Sequence, residues 1–227
     1  MARRFGLVGL FGVVLACASL QQAEAVILIN EVLANPGGLD ANRDGTPHFS
    51  QDEFVELVNT EATDVALSGW RLFDSVGLKH LFAAEALIPG RGFFVVFGGG
   101  SPAGFSHVAT ASSGSLALNN SGDTAKLFDP ALSLMDFFMF GAAPIGESFT
   151  RFPDGTGPFV EHLDVSPLRF SPGTTVDGSL NLPGEEQRPL IPEPSSLILL
   201  GGGVLGLIGL RRDHRRWSPK MREKTET

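Results

Sequence analysis

Several things are scarce in this 227-residue chain, and each scarcity removes a class of function. It has one cysteine, Cys17, and no tyrosine. A cut at Ala25 would remove Cys17, leaving a mature protein with no disulfide and no thiol nucleophile. The 18 Phe must therefore carry nearly all of the aromatic core, with Trp70 the one tryptophan of the mature domain and Trp217 in the tail. Positive charge is also sparse. Between Val26 and Pro194 there are 8 Lys and Arg against 21 Asp and Glu, a net of −13 where the whole chain has −8. Nucleic-acid binding draws its affinity from cations that displace counterions, so this surface excludes a nucleic-acid partner.

Catalytic signatures are missing as well. There is no G-x-S-x-G elbow, no H-E-x-x-H helix and no G-x-x-x-x-G-K phosphate loop. His48, His80, His107 and His162 each stand alone, and Gly98-Gly99-Gly100 runs into Ser101-Pro102 rather than a helix start. The sequence offers no catalytic residue, and the expectation is a protein that is not an enzyme.

Both ends read as export signals. Arg3 and Arg4 precede an apolar stretch from Phe5 to Ala18, and Ala23-Glu24-Ala25 supplies the small residues that a signal peptidase needs, so residues 1–25 are expected to be a signal peptide. Val14-Leu15-Ala16-Cys17 forms a weak competing lipobox that would put a lipid on Cys17. At the other end, Pro192-Glu193-Pro194 precedes an uncharged run from Ser195 to Leu210, and Arg211 and Arg212 form a basic stop. The run has 16 residues and five glycines, short of the roughly 20 residues a spanning helix needs, so it crosses a bilayer only by thinning it or by snorkelling of the arginines. These residues resemble the PEP-CTERM sorting signal of Gram-negative bacteria. The resemblance implies residues 192–216 as the signal, an exosortase as the processing partner, the inner membrane as an intermediate station, and the cell surface or extracellular polysaccharide matrix as destination. Residues 217–227 are a polar tail. The alternative is that the hydrophobic helix stays in the inner membrane and anchors a periplasmic domain.

The remaining stretch, 26–180, has the length of one domain. Short apolar runs recur at Val26–Ile29, Phe54–Val58, Ala66–Phe73, Phe93–Phe97, Leu116–Leu118, Ala125–Phe128, Leu134–Phe140 and Phe149–Phe152. Turn residues separate them, as at Asn35-Pro36-Gly37-Gly38, Pro89-Gly90 and Pro153-Asp154-Gly155, which predicts an all-β sandwich or barrel. Residues 181–191, with two prolines, Glu185 and Glu186, read as a linker.

An ordered set of residues narrows the fold. Asn30-Glu31, Glu53 to Asn59, Leu67-Ser68-Gly69-Trp70, Pro89-Gly90, Gly122-Asp123, Arg151 with Pro153-Asp154-Gly155, and Ser171-Pro172-Gly173 follow one another as in the lamin-tail domain, which this region resembles. The resemblance implies an immunoglobulin-like β-sandwich and a non-catalytic binding or scaffold role, with matrix polysaccharide or a surface protein as partner. Hydrolase neighbours in related proteins suggest the alternative of activity on phosphoesters or glycans. Asn30, Glu31, Glu56 and Asn59 read as polar residues that tie strands to turns, and Trp70 as a core anchor.

One loop suggests a cofactor. Asp40-Ala41-Asn42-Arg43-Asp44-Gly45-Thr46 places oxygen side chains at every second position before a glycine, as a D-x-N-x-D-G calcium loop does. Asp40, Asn42, Asp44 and the carbonyl of Thr46 are the candidate Ca²⁺ ligands. Gln51 occupies the twelfth position, so Asp52 or Glu53 would have to supply the bidentate carboxylate.

Overall fold

The structure is a computed structural model that describes residues 27–183. The expected signal peptide, Cys17, Ala23, Ala25, the Pro192–Pro194 motif, the apolar run and Arg211–Arg212 lie outside the described residues.

Among the described residues, twelve strands account for the fold. β1 (Ile27–Leu33), β2 (Phe54–Asn59), β7 (Phe93–Phe97), β8 (Val108–Thr110), β11 (Phe149–Arg151) and β12 (Phe159–Glu161) form a six-stranded sheet in the order β12-β11-β1-β2-β7-β8. β10 (Leu134–Phe140), β9 (Asp123–Phe128), β4 (Arg71–Phe73) and β5 (Leu78–Leu81) form the second sheet in that order. β3 (Val65–Ala66) and β6 (Leu87–Ile88) make a small two-stranded ladder. All pairings are antiparallel except β7 with β8.

The two sheets pack face to face. Ile27, Ile29, Val55, Leu57, Phe94 and Val96 of the larger sheet meet Leu72, Ala125, Leu127 and Phe140 of the smaller one, with Trp70 and Phe82 filling the same core. β9 shows the alternation of a strand with one buried face: Asp123, Ala125 and Leu127 point in, while Thr124, Lys126 and Phe128 are half-exposed. β10 carries Leu134, Phe137 and Met139 outward, each at least half exposed, so its hydrophobic run is only partly core.

β2 and β7 are buried at every position, because the larger sheet is covered on both faces. On its outer face Leu33, Phe54, Val95 and Phe97 form a second cluster against Phe105 and Phe170, and Val58, Phe93 and Leu182 form a third. The segment after β12 thus roofs the central strands. Its packing continues through Leu182, which is buried and donates its N–H to the Arg91 carbonyl, inside the stretch read from the sequence as linker.

Most apolar runs became strands at or near their expected places. Leu116–Leu118 did not: Ala117 has φ 50°, and Leu116 and Leu118 plug the core from a loop. Ala66–Phe73 splits into β3 and β4 at Gly69, whose φ of 76° breaks the extended chain.

A β-bulge lies at Asn30, where the β1–β2 register shifts between Ile29 and Glu31. The Ile29 N–H donates to Asp136 Oδ2 at 2.9 Å, and its carbonyl accepts from Arg151 Nε at 2.8 Å. Arg151 Nη2 closes the circuit onto Asp136 at 3.0 Å, and its guanidinium lies 4.5 Å over the Phe159 ring. One fork-shaped cation therefore joins β11, β1 and β10 across the open corner of the sandwich. Replacing Arg151 with Met strands a mostly buried Asp136 carboxylate and should cost about 3 kcal/mol in urea unfolding, and Lys, which lacks the fork, should recover less than half of that.

Candidate functional site

Glu31 and Glu56 face each other across the β1–β2 ladder, and both are fully buried. Two carboxyl groups in such a place need donors. Glu31 accepts from Ser148 Oγ at 2.6 Å and from the Ser171 N–H at 2.9 Å on Oε1, and from Ser171 Oγ at 2.8 Å on Oε2. Glu56 accepts from Asn30 Nδ2 and from the Gly173 N–H. Asn30 sits at the bulge, where its side chain donates to Glu56 and to Asp154 and accepts from the Gly155 N–H. Asp154 in turn takes the Val176 N–H. Apart from the Asn30–Glu56 bond between β1 and β2 and the Asp154–Val176 bond between the two outer segments, the links run from the central strands to 147–155 and 171–176, so the network fastens the roof to the sheet.

Burial dominates the titration of these groups. It pushes Glu31 up to about 7 against the hydrogen bonds of Ser148 and Ser171. Glu56 is raised well above the carboxylate range by burial and by the neighbouring Glu31 charge, and Asp154 is raised by burial. His162 is fully buried, with Nδ1 2.8 Å from the Leu168 carbonyl and Nε2 3.0 Å from Ser171 Oγ. The Leu168 carbonyl can only accept, so Nδ1 donates, and burial lowers the imidazole pKa and keeps Nε2 bare. Ser171 has one hydrogen for two acceptors, Nε2 and Glu31 Oε2. The Ser171–His162 contact resembles a nucleophile and its base, but both side chains are buried and the second imidazole nitrogen faces a backbone carbonyl.

The expected calcium residues assemble differently from a cation site. Asp40 accepts the N–H groups of Asp44 and Gly45, and Asn42 Oδ1 accepts that of Asp44. Asp44 takes the N–H groups of Thr46 and Ser101, and buried Asp52 takes those of Asn42 and His48. N–H hydrogens thus take up part of the accepting capacity of these oxygens, most of which keep a further lone pair. Glu53 turns away and accepts the Leu118 N–H at 3.3 Å, and burial raises its pKa to about 8, so near neutrality it is mostly an uncharged acid. Among the described residues no group of three or more His, Cys, Asp or Glu side chains converges as a metal site. As placed, the loop is a set of hydrogen-bonded turns and not a converged cation site.

What the loop does instead is pack onto the glycine run after β7. A Cβ on Gly98 would lie 1.9 Å from the Ser50 carbonyl oxygen, and one on Gly100, at φ 75°, 2.4 Å from both Asn42 Nδ2 and Asp44 Oδ2. Backbone bonds from Gly98 to Glu53, Gly99 to Gln51 and Ala103 to Asn42 lock the two loops together. The double loop holds Arg43 at φ 59° with its guanidinium 4.6 Å over the Phe105 ring. The spacing of Asp40, Asn42 and Asp44 pointed to this loop. Nothing in the sequence pointed to Arg43 or Phe105, because their partnership spans 62 positions.

These observations define a β-sandwich whose buried acids serve its own architecture. The sequence pattern of the Lamin Tail Domain matches residues 21–142, and this chain belongs to that family. Residues 190–216 match the PEP-CTERM protein-sorting motif, which implies an exported protein processed by an exosortase. Neither matched family is catalytic. No curated protein matches the chain. The family match ends before β11 and β12, although both complete the larger sheet and lead into its roof.

The shifted groups set a pH profile. Glu31, Glu53 and Glu56 have folded pKa values above their unfolded ones, so the native state holds more protons and stability falls as pH rises through 7 and 8. His80 and His162 are lowered, and their contribution grows with pH only up to the unfolded histidine value near 6.5. From pH 6.5 to 8.5 the carboxyl groups act alone. The melting temperature should drop across that window, each group contributing on the order of 1 kcal/mol per pH unit near its own pKa. Glu53→Gln should flatten the upper part of the profile measured by thermal denaturation. Calcium at about 10 mM, well above the weakest extracellular dissociation constants, should leave the melting temperature unchanged, and a rise abolished by Asp40→Asn would restore the cation reading.

Proposed function

We propose that this protein is a non-catalytic binding or scaffold module displayed at the cell surface or in the extracellular polysaccharide matrix. The observation that carries the reading is the joining, in one chain, of a lamin tail domain to a C-terminal exosortase motif at 190–216. The domain supports it physically. Its buried carboxyl and imidazole groups hold backbone N–H and C=O groups of the same domain, and its roof is bonded to the central sheet, as suits a rigid module outside the cell. The second reading, a periplasmic domain kept on the inner membrane, rests on the same apolar run from Ser195 to Leu210, retained instead of removed.

Processing separates the two. Intact-mass measurement on protein from envelope and medium should find a species beginning at Val26 and ending near Pro194, and Glu193→Ala should abolish it. A chain that still ends at Thr227 in the membrane fraction would replace surface display with the anchored form.

A further inference from the structure

Arg43 is exposed and Phe105 is half-buried. They line a cleft of about 280 Å³ together with Phe93, His107, Thr174 and Asn181. Residues 27–183 contain 18 Asp and Glu against 7 Lys and Arg, yet no carboxylate lines this cleft, while an arginine and a histidine do. The aromatic face at 4.6 Å is the only partner of the Arg43 guanidinium among the described residues, so its N–H donors have no protein acceptor there. A protein this acidic has carboxylates to spare for pairing an arginine. Holding one unpaired over a ring, from a backbone at φ 59° fixed by the Asp40–Asp52 network, leaves its donors for a ligand.

A second cleft, of about 380 Å³, shares Ser106 and His107 with the first and adds His80, Glu85 and Phe94. The two volumes stand near the lower end of the ligand-pocket range of roughly 300–1,000 Å³, so each suits a single ring-sized unit. The sequence of groups along them is a cation over an aromatic ring, then a histidine and a hydroxyl, then a carboxylate. A carboxylate-bearing unit fits the first, and a unit rich in hydroxyl donors fits the second, where Glu85 accepts. An acidic peptide would bring its next carboxylate against Glu85.

We propose that these paired clefts bind an acidic glycan, with a uronate carboxylate on Arg43 and the neighbouring sugar hydroxyls at His107, Ser106 and Glu85. The inference deepens the binding-module reading by naming its ligand class. In this account the Asp40–Thr46 loop, spaced like a cation loop, is a mount for Arg43, and the glycines at 98–100 exist so that the mount can seat.

Calorimetric titration of the exported protein with trigalacturonate, a neutral galactose trimer and hexaglutamate tests this. Trigalacturonate should bind, the neutral trimer at least tenfold more weakly. Arg43→Gln should lose at least tenfold in affinity for the uronate while keeping the wild-type melting temperature. Phe105→Leu, which leaves the cation in place and removes its ring, should weaken binding by a smaller factor. Equal binding of both trimers, an Arg43→Gln affinity like wild type, or no binding at all would overturn the proposal. Preference for hexaglutamate would overturn it in favour of an acidic peptide. Intact mass of the same Arg43→Gln protein keeps the two readings apart: normal processing with lost binding sinks neither, normal processing with no uronate binding by wild type sinks only the glycan, and a chain retained through Thr227 sinks only surface display.

Discussion

The structure turns on two glutamates that face each other across the middle of the larger sheet. Glu31 and Glu56 sit on β1 and β2 between two apolar clusters, one built on Leu33, Phe54, Val95 and Phe97, the other on Val58, Phe93 and Leu182. Burying one carboxyl group without donors costs several kcal/mol, and burying two side by side adds repulsion. The chain meets this in two ways. It brings N–H and O–H donors from the segment after β12, and it lets the pair stay partly protonated. The acids therefore specify where the roof sits. An apolar pair would bury more cheaply, but it would accept any apolar lid in any register.

That constraint extends outward. With the roof placed by Ser171, Gly173 and Val176, Phe170 reaches the cluster around Phe54, and Thr174 and Asn181 complete the cleft that Arg43 and Phe105 begin. The bulge at Asn30 serves the same end from β1, because it turns the Asn30 side chain toward Glu56, Asp154 and Gly155 while leaving the Ile29 backbone groups to Asp136 and Arg151. A single extra residue in one strand thus joins the outer network to the corner of the sandwich.

Legibility in the sequence followed the range of the interaction. The runs Phe54–Val58, Phe93–Phe97 and Leu134–Phe140 are local signals and lie in strands as expected. β5, β8 and β12 were not legible, because Leu78–Leu81, Val108–Thr110 and Phe159–Glu161 are short and half-exposed and owe their conformation to neighbours. That Phe93–Phe97 is apolar on both alternations was a visible sign of a doubly covered sheet, since a strand with one wet face would alternate as β9 does. The cover itself, 162–183, is too polar to announce its role.

The loop at Asp40 shows why a motif underdetermines chemistry. Asp and Asn at alternate positions before a glycine can wrap oxygens around a cation, or they can accept backbone N–H groups and hold a turn rigid. A carboxylate oxygen has two lone pairs and can do both, so the spacing alone does not choose. Here most of the hydrogens come from the loop itself, from the N–H groups of Asp44, Gly45 and Thr46, and two contacts reach further: Ser101 donates to Asp44, and the side chain of Asn42 donates to the Gly99 carbonyl. Gly98 and Gly100 permit that approach, since a side chain at either would collide with Ser50 or with Asn42 and Asp44. The glycine run and the acidic loop, two separate features in the sequence, are the halves of one joint, and the residue between the acids is the one it presents.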